Sequence, residues 1–169
     1  MNKILLAIAA FVVLNNKSKD KPTVVDVVPV KQNKGWGSPV QIMTVRNDAM
    51  GHGHFMASRS GGSRQHKGID YEVVKGQAIY SPISGKVTRT AQPYANDKKY
   101  SGIVIQNNRY VVKIFYMKTD LSLIGQNVVV GQKIGLAQSI SEKYSSAMKD
   151  HIHIEVYEDG KIVPFSDFV

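Results

Sequence analysis

Two short runs hold the residues best suited to chemistry. Near the C-terminus the chain reads His151-Ile152-His153-Ile154-Glu155, and well upstream it reads His66-Lys67-Gly68-Ile69-Asp70. Imidazole nitrogens and carboxylate oxygens are ligands for a divalent transition metal, zinc above all. The C-terminal run alternates as a strand does, with side chains repeating every second residue. His151, His153 and Glu155 therefore share one face, and Ile152, Ile154 and Val156 bury the other. The upstream run offers a His and an Asp from a glycine-containing segment that can bend to aim both inward. Together the runs provide three metal ligands and a spare imidazole. A His-Asp-His set with one position open to water is the pattern of a catalytic zinc site rather than a closed structural one. The chain contains no cysteine, which removes disulfides and thiolate ligands, so any zinc is held by His and carboxylate.

The elements that must position these residues read as β-structure. At 169 residues, 43% hydrophobic and 21% charged, the chain has the size and composition of one globular domain plus an extension. Short β-branched runs separated by turn residues predict strands at Ala78–Pro82, Gly85–Thr88, Gly102–Ile105, Tyr110–Met117 and His151–Tyr157. Helix is expected only as a turn near Ser141–Met148. The segment Val73-Val74-Lys75-Gly76-Gln77-Ala78-Ile79 recurs as Val128-Val129-Val130-Gly131-Gln132-Lys133-Ile134. This echo predicts two related strand–turn–strand units over one core, with glycine supplying each turn. Residues 1–15, a positive start followed by the apolar run Ile4–Leu14, read as a signal peptide or an uncleaved short anchor. Residues 16–40 read as a basic linker, and 41–169 as the folded domain. Export or anchoring at the cell envelope is the expected location, or the virion if the chain is phage-encoded. The net charge of +9 favours anionic surroundings such as cell-wall polymers or a membrane surface. No helix-turn-helix, finger or aromatic-basic motif accompanies that charge, so no nucleic-acid partner is expected.

With these residues assembled, the domain resembles the lysostaphin/LytM-type zinc endopeptidases. The likeness runs from about Gly51 to Pro164, through Ala57-Ser58-Arg59, Arg64-Gln65-His66-Lys67-Gly68-Ile69-Asp70, Ser81-Pro82-x-x-Gly85-x-Val87, Val130-Gly131-Gln132-x-Ile134-Gly135 and His151–Glu155. The resemblance implies an open antiparallel β-sheet with a groove, of the duplicated hybrid motif type, in agreement with the internal echo. It also implies that His66, Asp70 and His153 bind one zinc ion, and that His151 is the catalytic histidine. The substrate it implies is the peptide stems or cross-bridges of bacterial peptidoglycan.

One position departs from that pattern. Family members that cut peptides usually carry a second catalytic histidine after a Tyr-x pair, and here Phe115-Tyr116-Met117-Lys118 places lysine there. In this strand the chain looks like leukocyte cell-derived chemotaxin, an animal relative that keeps the zinc ligands and is regarded as a non-enzymatic binding protein. An ammonium at Lys118 can stabilise an oxyanion but accepts no proton while charged. Tyr116, two residues earlier and expected on the same strand face, can lend a hydroxyl. His52 and His54, in a glycine-flanked loop, can swing an imidazole toward the groove. Glu155 reads as a supporting residue, because it lies in no helical His-Glu-x-x-His setting. Three functions compete: a zinc endopeptidase of peptidoglycan, a silent zinc-containing module that binds wall peptides or a protein partner, and a carrier or phosphotransfer domain. Asp70 argues against the last.

Overall fold

The structure is a computed structural model that describes residues 35–169. The expected apolar segment at 1–15 and most of the expected linker lie outside the described residues. The end of that linker does not behave as one. Trp36 and Val40 are buried, the Gly37 amide donates to the Pro82 carbonyl, and the Tyr80 amide donates to the Pro39 carbonyl. Trp36 stacks on Phe168 with ring centroids 4.2 Å apart. Burying so large an apolar ring ties residues 36–40 to the folded unit, which therefore includes residues assigned above to the linker.

Among the described residues, helix is confined to three-residue 3-10 turns at Ser60–Gly62, Leu121–Leu123 and Phe165–Asp167. Two small hairpins come first, β1 (Asn47–Asp48) with β2 (Gly51–His52), and β3 (Ser58–Arg59) with β4 (Arg64–Gln65). A larger antiparallel sheet runs β11 (Asn127–Val128), β7 (Gly85–Ala91), β8 (Gly102–Gln106), β9 (Tyr110–Phe115), β13 (His151–Glu158), β14 (Lys161–Val163). Strand β5 (Ile69–Glu72) also pairs with β13, along its first half. A second sheet orders β10 (Met117–Thr119), β12 (Lys133–Ala137) and β6 (Ala78–Tyr80). Ile103, Ile105, Val112, Ile114, Ile152 and Ile154 from the large sheet join Ile79, Met117 and Ile134 from the small one in a single apolar cluster. The fold is mainly β, as expected.

The internal echo corresponds to a repeated turn. Gly76 and Gly131 both sit in the left-handed region, at φ 83° and 79°. In the first copy the Gln77 side-chain oxygen accepts the Val74 amide at 3.1 Å. In the second, Gln132 accepts the Val129 amide at 3.1 Å. The two turns lead into β6 and β12, which pair with each other. Each glycine amide then donates across the pair, Gly76 to Ala137 and Gly131 to Ser81.

The expected strand Tyr110–Met117 is interrupted at Tyr116. That residue has φ 64°, a conformation costly for a bulky L-residue. Here the chain leaves the large sheet for the small one: Phe115 pairs with His153, and Met117 pairs with Ala137.

Candidate metal centre

Register places the ligands. On β13, His153 lies opposite Asp70 of β5 on one side and Phe115 of β9 on the other. Alternation then gives what the sequence predicts, with Ile152, Ile154 and Val156 fully buried in the core while His151, His153 and Glu155 face a cavity. His66 reaches the same point from the segment before β5. Gly68 permits this approach, because a Cβ there would stand 2.1 Å from the Ile154 carbonyl oxygen and 2.7 Å from His153 Cε1.

Three ligand atoms converge. His153 Nδ1 is 2.8 Å from Asp70 Oδ1, His66 Nε2 is 3.0 Å from Asp70 Oδ1, and the two imidazole nitrogens are 2.9 Å apart. Around a tetrahedral zinc with bonds near 2.0–2.2 Å, neighbouring ligand atoms lie roughly 3.3 Å apart, so the triangle needs only a few tenths of an ångström of opening. Neighbouring groups set both tautomers. His66 Nδ1 donates to the His54 carbonyl at 2.9 Å, and His153 Nε2 faces Glu155 Oε1 at 3.5 Å. With those N–H groups turned outward, each ring can present an unprotonated nitrogen at Asp70, and a cation between the three atoms would take the place of the imidazole protons that otherwise bond the carboxylate. The donor set fits a divalent metal. His66, Asp70 and His153 form a group that can hold a metal ion.

The surrounding charges are balanced through Asp70. Its second oxygen, Oδ2, accepts from Arg46 Nε and Arg59 Nη2, both at 3.3 Å, leaving Oδ1 for the metal position. Burial works against the Asp70 carboxylate, but hydrogen bonds from His153 and His66 outweigh it and hold the pKa well below the carboxylate range. Burial likewise opposes charge on His153, yet the flanking carboxylates of Asp70 and Glu155 push its pKa up. Glu155 accepts the Tyr157 hydroxyl at 2.8 Å. Burial raises its pKa, and the His153 and Tyr157 hydrogen bonds carry it down to about 2. Glu155 thus contacts both His153 and Tyr157.

His151 stands beside the triangle, buried, with Nε2 3.9 Å from Asp70 Oδ2. Its Nδ1–H donates to the Lys149 carbonyl at 2.8 Å, which leaves Nε2 free as a base. Burial lowers its pKa. The Lys149 amide in turn donates to Asp48 at 2.9 Å, and Asp48 forms two hydrogen bonds with Arg46 Nη1, at 2.7 and 2.9 Å. A single chain of contacts therefore links the first hairpin to the orientation of His151.

The auxiliary candidates separate. Tyr116 lines the cavity with its ring 5.4 Å from that of His151. Lys118 does not line it. It lies exposed on β10 in a different groove, with Lys75, Lys99 and Glu142. The expectation that Tyr116 and Lys118 share a face is overturned by the positive φ at Tyr116, which breaks strand alternation. His54 contributes through its backbone carbonyl, while its side chain is exposed, as is that of His52. Arg46, Arg59 and Arg64, none of them singled out as site residues from the sequence, line the cavity of about 400 Å³. Arg46 lies outside any strand and Arg59 and Arg64 sit in a hairpin of two-residue strands, too short to carry a periodic signal by which to find them.

The family model "Peptidase family M23" matches residues 64–164, more than half of the chain. An uncharacterized metalloprotease of Haemophilus influenzae is 27% identical over 105 residues, covering 62% of this chain and 21% of that protein. A zinc-containing peptidase from Vibrio cholerae superposes with TM-score 0.56 and 26% identity, covering 79% of this chain and 39% of the other. Lysostaphin from Staphylococcus simulans, an antimicrobial peptidase, shares the fold at TM-score 0.54 and 18% identity, covering 78% of this chain and 52% of its own. The chain thus spans about a fifth of the length of the curated relative it matches.

Proposed function

From its membership of peptidase family M23, which makes this a metallopeptidase domain, we propose that the chain is a zinc endopeptidase cutting peptide stems or cross-bridges of bacterial peptidoglycan. The observation that carries the reading is the triangle of His66 Nε2, Asp70 Oδ1 and His153 Nδ1, with sides of 2.8–3.0 Å. Zinc is the metal that two imidazoles and one carboxylate suit, and a 26% identical neighbour contains it. Bound there, it supplies a Lewis acid that polarises a carbonyl and acidifies water.

The chain's own groups do the rest. His151 Nε2 takes a proton from the attacking water and returns it to the leaving amine. Lys149, through its carbonyl, keeps the His151 tautomer correct. Phe115, Tyr116, Arg59 and Arg64 all line the cavity. Guanidinium groups there favour a substrate with carboxylates, such as a wall stem peptide, and the charge of +9 favours a polyanionic wall or membrane surface. Placement at the cell envelope, or on a virion, goes with this substrate.

A second reading keeps the metal without cleavage: a module that binds wall peptides or a protein partner. It draws on Lys118, which replaces the expected second histidine and stands outside the cavity. Zinc-loaded protein, with His151→Ala as control, is incubated with purified walls, and new amino termini are counted. Termini released only by the unsubstituted protein support the peptidase. Binding to walls without release across pH and wall type supports the silent module.

A further inference from the structure

Three tyrosine hydroxyls form a chain that ends in the metal cavity. Tyr144 donates to Tyr94 at 2.8 Å, and Tyr94 donates to Tyr116 at 3.3 Å. We propose that Tyr116 is a catalytic residue, whose hydroxyl donates a hydrogen bond to the oxyanion formed as the peptide carbonyl is attacked. This deepens the peptidase reading and rests on it. It gives Tyr116 the part expected of the second histidine and, by sequence position, of Lys118.

The backbone supports the assignment. Phe115 and Tyr116 both line the cavity, although consecutive residues of a regular strand point to opposite faces. The φ of 64° at Tyr116 makes this double placement. Its carbonyl accepts the Gln138 amide at 2.8 Å, and the next amide, that of Met117, donates to Ser101 at 3.1 Å. A strained conformation held from both sides, and aiming a polar side chain into a cavity, is a recurrent mark of functional sites.

The hydroxyl chain also has a direction. Tyr116 accepts from Tyr94, so its own hydrogen is not used by any partner among the described residues. The acceptor interaction polarises the hydroxyl and strengthens it as a donor. The Tyr116 ring meets His151 edge to face, at 86°, so base and donor stand side by side. Burial raises the Tyr116 pKa, and the phenol remains a donor at neutral pH.

In the hydrolysis, the attacking water gives one proton to His151 Nε2 while its oxygen bonds to the carbonyl carbon. The π pair moves onto the carbonyl oxygen, which Tyr116 meets with its O–H. The C–N bond then breaks with its pair on nitrogen, and nitrogen takes the proton from His151. Tyr116 starts and ends protonated.

The test uses zinc-loaded full chain with Tyr116→Phe, Tyr94→Phe and Lys118→Ala, measured on soluble wall peptides. Removing one oxyanion donor typically lowers turnover by 10²–10³-fold. For a hydroxyl on one side of an open cavity, Tyr116→Phe is expected to lower kcat about 10–100-fold with KM changed less than about threefold. Tyr94→Phe, a positioning residue, is expected to lower kcat about 2–5-fold at constant KM. Lys118→Ala leaves both constants unchanged. Zinc content and melting temperature stay at the unsubstituted values. A readout independent of turnover is the affinity for the phosphinic isostere of alanyl-alanine, a tetrahedral anion, which weakens about tenfold in Tyr116→Phe only. Cleavage at full rate by Tyr116→Phe, or equal isostere affinity, overturns the assignment while leaving the peptidase reading intact. Absence of cleavage by the unsubstituted protein overturns both.

Discussion

Replacing Gly68 by alanine tests how closely the upstream ligands are packed against β13. The added Cβ would stand 2.1 Å from the Ile154 carbonyl oxygen, 2.7 Å from His153 Cε1 and 2.8 Å from His153 Nε2. Contacts below 3 Å demand movement, and the nearest atom belongs to a central strand that cannot yield cheaply. Overpacking of this kind costs about 1–3 kcal/mol, and a backbone obstacle places Gly68→Ala near about 3 kcal/mol. For a domain of this size each kcal/mol shifts the melting temperature by roughly 3–5 °C, so a fall of about 10 °C is expected by calorimetry. The same movement displaces the His153 ring, and zinc affinity in competition with a chromogenic chelator is expected to fall at least about tenfold. Gly76→Ala is the control: no atom lies within 4 Å of its Cβ position, but its φ is +83°. It is expected to cost about 1 kcal/mol through backbone strain with zinc affinity unchanged. A Gly68→Ala protein that melts within about 2 °C of the parent and binds zinc equally would refute the packing argument.

Further outcomes follow from the site. His151→Ala is expected to retain one zinc per chain while kcat falls about 10²–10⁴-fold, the usual contribution of a positioned base, read by metal analysis beside peptide release. Arg64 lines the cavity and has no ion-pair partner among the described residues, so Arg64→Ala is expected to raise KM for carboxylate-bearing wall peptides roughly tenfold with kcat little changed. Burial raises the Asp48 pKa, but hydrogen bonds from Lys149, Arg46 and Met50 bring it below its ordinary 3.8. Its folded-state pKa being depressed, Asp48 adds stability above 3.8 that is lost as pH falls below it. Acid unfolding of Asp48→Asn should therefore be less pH-dependent in that range, and an unchanged slope would count against the Arg46–Asp48–Lys149 connection.

Much of the site could be read from residue types and parity alone. The alternation in His151–Glu155 assigned the cavity face and the core face correctly, because a strand paired on both sides leaves no freedom of register. The echoed Val-Val-x-Gly-Gln-x-Ile segments marked a true structural repeat, because left-handed glycine and the glutamine side-chain hydrogen bond recur together in both turns. Lys118 was misplaced for a physical reason: periodicity assumes a regular strand, and the positive φ at Tyr116 shifts the face of every residue beyond it. Trp36 hid within a stretch of linker composition, since its burial depends on Phe168 from the far end of the chain. Arg46 and Arg59 act on Asp70 across 24 and 11 residues, a pairing that no local pattern encodes.

Anomalous diffraction at the zinc edge, from crystals of the zinc-loaded protein, tests most directly whether one ion is held by His66, Asp70 and His153. One peak is expected within about 2.0–2.2 Å of His66 Nε2, Asp70 Oδ1 and His153 Nδ1, and it should vanish in His153→Ala. A zinc bound elsewhere, or retained at full occupancy after that substitution, would contradict the account.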